Sequence, residues 1–345
     1  MAYTTINKST AHFNTKLYAG NGSTQSITGV GFQPDFIWQK ERDGGSYHVV
    51  TDSVRGVTKQ LFPNDSYQDV TDSNYITSFD SDGFGQGQNN DTNESGKNYV
   101  SWNWKAGNSA GSANSDGSIS TTVSVNTTAG FSIVKWTGTG SAGTLGHGLG
   151  AVPKTIWVKK SSQSDDWFIW HEALGAQGKM NFNNNSAVQN DTGYWNNTLP
   201  TNQVFYVTSN GANNASGQTY IAYCFTNITG YSKFGSYVGN SSADGTFIYT
   251  GFKPAFILLK HTTSSESWHL FDAKRANSFN PVNGRLQVDA TGTEYTGKNV
   301  FDFVSNGCKL KDNNSAYNNS GSTYIYMAFA EAPLVGSNNI PCTAR

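Results

Sequence analysis

Charge and cysteine are scarce in this chain. Only 14% of its 345 residues are charged, and 23 basic against 24 acidic side chains leave a formal net charge of −1. So balanced a chain shows no electrostatic footprint for nucleic acid or anionic lipid. No apolar run approaches the roughly 20 residues that cross a bilayer as a helix. The three cysteines, Cys224, Cys308 and Cys342, are odd in number and widely separated, which excludes a disulfide framework and a CxxC metal pair. Cys224 lies in the apolar run TYIAYCF and reads as a small buried hydrophobe. The opening residues MAYTTINKST hold neither a basic nor an apolar stretch, so no signal peptide is expected there.

What the chain has in abundance is turn formers and rings. Gly, Asn, Ser and Thr supply 147 residues, and there are 9 Trp, 17 Tyr and 20 Phe. Disordered chains lack such aromatic content, and coiled coils need Ala, Glu, Lys and Leu instead. An all-β protein with aromatic cores remains, long enough for two or three domains.

Two landmarks recur three times. The first is GFQPDFIWQK (Gly31 to Lys40), GAVPKTIWVK (Gly150 to Lys159) and GFKPAFILLK (Gly251 to Lys260). The second is NYVSWNW, TYIAYCF and TYIYMAF, with Tyr99, Tyr220 and Tyr324 following Pro34, Pro153 and Pro254 by 65, 67 and 70 residues. Phe13, Phe131 and Phe234 open the copies, and Tyr47, Trp167 and Trp268 fall soon after each proline. A period near one hundred residues suits six to eight strands, or one β-sandwich. It is too long for a trefoil lobe or a propeller blade.

The expected fold is therefore all-β: three tandem antiparallel β-sandwiches, jelly-roll-like, each with its own core. The expected boundaries are an N-terminal arm at 1–12, repeats at 13–105, 131–230 and 231–331, a Gly/Ser/Thr linker at 106–130 with a short strand at its end, and an extended tail at 332–345. Both ends read as attachment elements.

Strand periodicity separates core rings from candidate binding rings. Val100, Ile221 and Ile325 share one face with Trp102, Tyr223 and Met327 and with Trp104, Phe225 and Phe329, so that face is core. Lys40, Lys159 and Lys260 are expected at strand ends with their ammonium heads in water. Aromatics outside the repeated pattern, in polar loops, are the binding candidates. They are Trp170, Tyr194 and Trp195 with Asn196, and Tyr317 with Asn318. A ring covers the C–H face of a sugar while neighbouring amides pair with its hydroxyls.

Catalytic and cofactor motifs are not evident. Gly138-Thr-Gly140-Ser-Ala-Gly143 fits GxGxxG but leads into no helix, and reads as a hairpin turn. Six histidines show no metal-ligand spacing with acids, and Asp80-x-Asp82-Gly83 reads as a turn rather than a calcium loop. No cofactor, no metal and no catalytic residue is expected, although the two acids of a glycan hydrolase need not be near in sequence.

The blocks GFSIVKWTGTGSAGTLGHGLGAVPKTIWVKK, YVSWNWKAGN and YIYMAFAEAPLVGSNNIPCTAR resemble a repeat family found in proteins of marine tailed bacteriophages. The resemblance covers essentially the whole chain. It implies a virion component, tail-fibre-like or with lectin-like sandwiches, made in the host cytoplasm. The implied role is a tail fibre or adhesin contacting a host surface glycan or protein receptor. The alternatives are a capsid decoration, head-fibre or tail-adaptor protein, and, third, a glycan-degrading enzyme. Implied partners are other virion proteins and further copies of the chain, as a trimer if it forms a fibre, with no nucleic acid and no membrane insertion.

Overall fold

The computed structural model describes residues 4–275 and 280–333. It is all-β and antiparallel, as the composition and periodicity predict. Each repeat builds its larger sheet in the same order: opening strand, closing strand, inner strand, outer strand. In the first repeat these are Phe13–Ala19, Asn98–Trp104, Phe36–Glu41 and Val49–Asp52. In the second they are Phe131–Thr137, Thr219–Phe225, Thr155–Lys160 and Trp167–His171. In the third they are Ser232–Val238, Thr323–Pro333, Phe252–His261 and His269–Asp272, with Arg285–Gln287 added outside. A smaller sheet of two or three strands accompanies each, for example Gln25–Thr28, Gly83–Gln86 and Ile76–Asp80.

The cores are where the structure departs from expectation. Separate cores were the prediction; instead one face of every larger sheet enters a single shared cluster. Phe13, Trp38 and Trp104, Phe131, Trp157 and Phe225, and Phe256, Leu258 and Phe329 all belong to it. Rings of different repeats touch directly, as Phe13 stacks on Phe329 at 4.9 Å and Phe36 meets Tyr223 at 4.5 Å. The opposite face of each larger sheet packs into its own repeat's cluster, around Phe84, Leu145 or Phe301. The inner strands of the first two repeats are consequently buried at every position. Closing strands apolar on both faces, such as TYIAYCF, are the sequence sign of two-sided burial.

Hydrogen bonds close the three repeats into a ring. Trp167 Nε1 donates to the Phe62 carbonyl at 2.8 Å, Trp268 Nε1 to the Asn181 carbonyl at 2.6 Å, and His48 Nε2 meets the Gln287 carbonyl at 3.0 Å. His48 Nδ1 accepts from Trp38 Nε1, which places the ring proton on Nε2 as donor. The residue equivalent to Trp167 and Trp268 is thus His48, not Tyr47. A second set runs through main-chain groups, from Asp69 N to Ser161 O, Val188 N to Thr262 O and Glu294 N to Arg42 O, at 2.8, 2.7 and 2.8 Å. Each set links repeat one with two, two with three, and three with one. A chain of domains in series has no such third contact.

Other expectations are corrected in the same way. Sheet register pairs Ser232, not Phe234, with the position of Phe13 and Phe131. The 106–130 linker contributes strands Ser112–Asn114 and Thr121–Asn126, which extend the second sheet beside its opening strand. From residue 4 onward the arm is docked: Ile6 enters the shared core and Ser9–Ala11 forms a 3-10 turn against the closing strand of the third repeat. The tail beyond residue 333 lies outside the described residues.

The three lysines are fully buried, not solvated. Each ammonium donates to the next residue's carbonyl, at 2.8, 2.9 and 2.8 Å for Lys40, Lys159 and Lys260. A second carbonyl accepts from each: Gly44, Ser66 or Ser264. Burial pushes each of them down to about 8.

Candidate binding surface

Of the six residues chosen from the sequence, Trp170, Trp195, Tyr317 and Asn318 are buried, Tyr194 is half-buried and Asn196 is exposed. Trp170 and Trp195 are buried, and their indole N–H groups donate to the Gly175 and Gly178 carbonyls at 2.9 and 3.2 Å. Tyr317 is buried against His269, with its hydroxyl accepting from Arg285 Nη1 at 3.0 Å. Tyr194 is half-buried, with Phe168 at 4.8 Å on its ring and the Lys179 ammonium over it at 4.1 Å. Only Asn196 is exposed, in a left-handed conformation (φ 53°) that ends the helical turn Thr192–Trp195.

Asn318 is one of a repeated trio with Asn93 and Asn214. Their Oδ1 atoms accept the main-chain N–H of Asn240, Asn21 and Thr139, at 2.9, 3.0 and 3.0 Å. Their amide N–H groups donate to neighbouring carbonyls, such as Ser242 O from Asn318. Each clamps the glycine turn after its opening strand. At Gly20, Gly138 and Gly239 a Cβ would stand 2.1 to 2.3 Å from a carbonyl oxygen, so only glycine fits. Asn318, like Trp170, Trp195 and Tyr317, is thus buried and bonded within its own repeat, while Tyr194 and Asn196 stay at the surface.

The criterion of an aromatic outside the repeat still has an answer. Once His48 takes the repeated position, Tyr47 falls outside the pattern. It stands beside Tyr67, with ring centroids 6.1 Å apart, and Tyr67 is 47% exposed. Phe62 lies under both, at 5.2 Å from Tyr47 and 6.1 Å from Tyr67, with Tyr75 behind it. The Tyr75 hydroxyl donates to Asp91 at 2.7 Å, while Asp65 and Asn64 flank the loop. A hydrogen bond to Tyr67, followed by slight burial, raises the Tyr47 phenol above its ordinary value.

The result is a two-tyrosine shelf with carboxylates and amides beside it. Apolar ring faces next to anchored polar groups suit a sugar or a peptide side chain. The signal was present in PNDSYQDV, which has the same polar-aromatic character as NDTGYWNN. Alignment of Tyr47 with the two tryptophans hid its partner.

Other candidate chemistry is accounted for. Asp82 accepts from Gly29 N and Gly31 N at 3.0 and 2.7 Å, so its loop is a turn as expected. Cys224 is buried, as its apolar run predicts, and Cys308 is buried too. Among the described residues no group of three or more His, Cys, Asp or Glu side chains gathers around a possible metal position. No helix there is long and apolar enough to cross a membrane.

Sheets and junctions together define an all-β protein of three repeats closed on one another. The chain belongs to the family described as "Domain of unknown function (DUF7483)", whose model matches residues 8–333. No curated protein and no solved structure matches it.

Proposed function

We propose that this chain is a bacteriophage virion component, a tail-fibre or adhesin module that contacts the host surface through the Tyr47–Tyr67 shelf. The single observation that carries the contact is the shelf itself. It sits on a scaffold whose other large rings are mostly buried. Asp65, Asp91 and Asn64 beside it offer partners for sugar hydroxyls or for a receptor's polar groups. The resemblance to marine-phage repeat proteins supports the virion setting.

A purely structural role, as capsid decoration or tail adaptor, is the second reading. Phe247 and Tyr249 favour it, as they project from the same face of one strand at 42% and 59% exposure. Such a patch suits a protein partner.

Binding of the folded chain to host cells and to their extracted polysaccharide separates the two. The adhesin reading expects binding that Tyr47→Ala/Tyr67→Ala abolishes and Phe247→Ser/Tyr249→Ser leaves intact. Absence of cell binding, with incorporation into particles lost in the second variant, overturns it in favour of the structural role.

A further inference from the structure

The second repeat shows how the edge of this repeat is completed. In its opening strand, even-numbered residues bond to the closing strand, as the flanking bonds Thr226 N to Gly130 O and Gly138 N to Gln218 O fix. Odd-numbered residues therefore face outward, and strand Thr121–Asn126 lies there antiparallel, with Ser124 opposite Ile133 and Thr122 opposite Lys135. The first repeat has the same parity, set by Lys105 N to His12 O and Gly20 N to Lys97 O. Its Thr15 and Leu17 thus correspond to Ile133 and Lys135, and their main-chain groups face outward too. Among the described residues no strand pairs with that edge. The described residues before Phe13, at the place the second repeat uses for the added strand, carry Ile6 into the shared core instead.

A cleft of about 200 Å³ lies along this edge. Phe13, Asn14 and Thr15 form one wall, and small side chains of the third repeat, Ala255, Ala273 and Ala330, form the other. Thr15 is 94% buried at its base, and its Oγ1 has no hydrogen-bond partner. The rim carries Lys253, paired with Glu331 at 2.8 Å, and Lys274, which makes no ion pair among the described residues. In the first repeat the corresponding residues receive the passing linker: Asp35 accepts from Ala106 N and Asn108 N, and Ser53 donates to Ser109 O. The third repeat has alanine at these places, and among the described residues no side chain or main chain bonds there as the linker does in the first repeat.

We propose that the outward edge of Phe13–Ala19 is an acceptor for an extended strand supplied by a different protein, which adds antiparallel to Thr15 and Leu17 as Thr121–Asn126 adds to the second repeat. The matching segment alternates β-branched with small hydroxyl residues and carries an acidic side chain toward Lys274. Strand addition of this kind takes its affinity from main-chain hydrogen bonds and its selectivity from alternate side chains. A second copy is a poor donor, because the strand of this composition, Thr121–Asn126, is already paired on both edges. An open edge is otherwise an aggregation hazard, which a dedicated partner removes.

The test uses the full chain and a synthetic peptide with the sequence of residues 117–128, GSISTTVSVNTT. Amide exchange at Thr15 and Leu17 is followed by NMR with and without peptide. The expected result is slowing of tenfold or more at both amides with saturating peptide, and no change at Ile133, whose outward edge Thr121–Asn126 already covers. Leu17→Pro, which removes one donor, abolishes the effect; if that variant does not fold, a peptide N-methylated at the residues matching Thr122 and Ser124 serves instead. No slowing at millimolar peptide overturns the proposal. So does protection of Leu17 before peptide is added, which assigns the edge to residues of the same chain, and so does a dimer that the peptide dissociates, which assigns it to a second copy.

Discussion

The Tyr223 hydroxyl of the second repeat donates to the Asp52 carboxylate of the first across 2.7 Å. Trp102 Nε1 of the first repeat donates to the equivalent Asp272 of the third at 3.0 Å. The third member of this set differs in an informative way. Met327 occupies the position of Tyr223 and Trp102 and has no proton to give. The acid facing it is replaced by His171, whose Nε2 donates to the Tyr326 carbonyl at 3.3 Å. Donor and acceptor have exchanged sides, and the junction is kept.

Loss of one acid at these junctions strips a buried guanidinium of its nearest carboxylate, leaving Arg55 with Asp69 at 3.2 Å and Arg275 with Glu294 at 3.6 Å. Arg55 bonds Asp52 at 2.5 Å and is 2% exposed; Arg275 bonds Asp272 and is fully buried. Asp52→Ala and Asp272→Ala are each expected to destabilise by about 3–5 kcal/mol. Tyr223→Phe removes a single donor and is expected to cost about 1–3 kcal/mol. Met327→Leu, with no polar partner to lose, is expected to cost under about 1.5 kcal/mol. Urea denaturation midpoints measure all four.

Stability is expected to rise with pH on the alkaline side. Lys40, Lys159 and Lys260 lose their protons at about 8 when folded, because burial disfavours the charge. The unfolded chain holds them to about pH 10.4, so between these limits it binds more protons and folding gains with pH, by roughly 1–3 kcal/mol per lysine. Above about pH 10 the sign reverses. Burial holds the phenols of Tyr18, Tyr223, Tyr231 and Tyr237 well above their ordinary value, so the unfolded chain ionises first. Denaturation at pH 7.5 and 9.5 should show the increase, and a triple Lys→Met variant should lack it.

On the acid side, burial lowers His171 to about 4 and His269 to about 3. Unfolded histidines take up protons near pH 6.5, and these two resist, so stability falls as pH drops from about 6.5 to 5. His269→Phe should flatten part of that slope.

The sequence-derived and structure-derived binding residues predict opposite phenotypes. Trp195→Ala and Tyr317→Ala empty buried volume and should cost about 3–5 kcal/mol. Tyr67→Ala and Tyr47→Ala lie at the surface and should cost little stability, about 0.5 kcal/mol for the exposed Tyr67, while removing the contact. Thermal melts alongside cell-binding measurements distinguish the two pairs.

The repeats, the all-β class and the inward face of the closing strands were legible in the sequence, because each rests on spacing or on period-two alternation. Closure was not. Three copies of one pattern are compatible with a string or a ring, and the deciding bonds join the third repeat back to the first across more than two hundred positions, such as His48 with Gln287. Burial of the lysines escaped notice because a lysine at a strand end ordinarily reaches water; carbonyl ligation at Gly44, Ser66 and Ser264 depends on loop paths that spacing does not encode. The shelf was missed by a single residue of register between Tyr47 and His48.

Scanning calorimetry of the intact chain tests ring closure most directly. A shared core, with contacts from the third repeat back to the first, predicts one cooperative transition whose calorimetric and van't Hoff enthalpies agree. Three independent repeats would instead give separable transitions, or a calorimetric enthalpy about three times the van't Hoff value, and that result would contradict the closed ring.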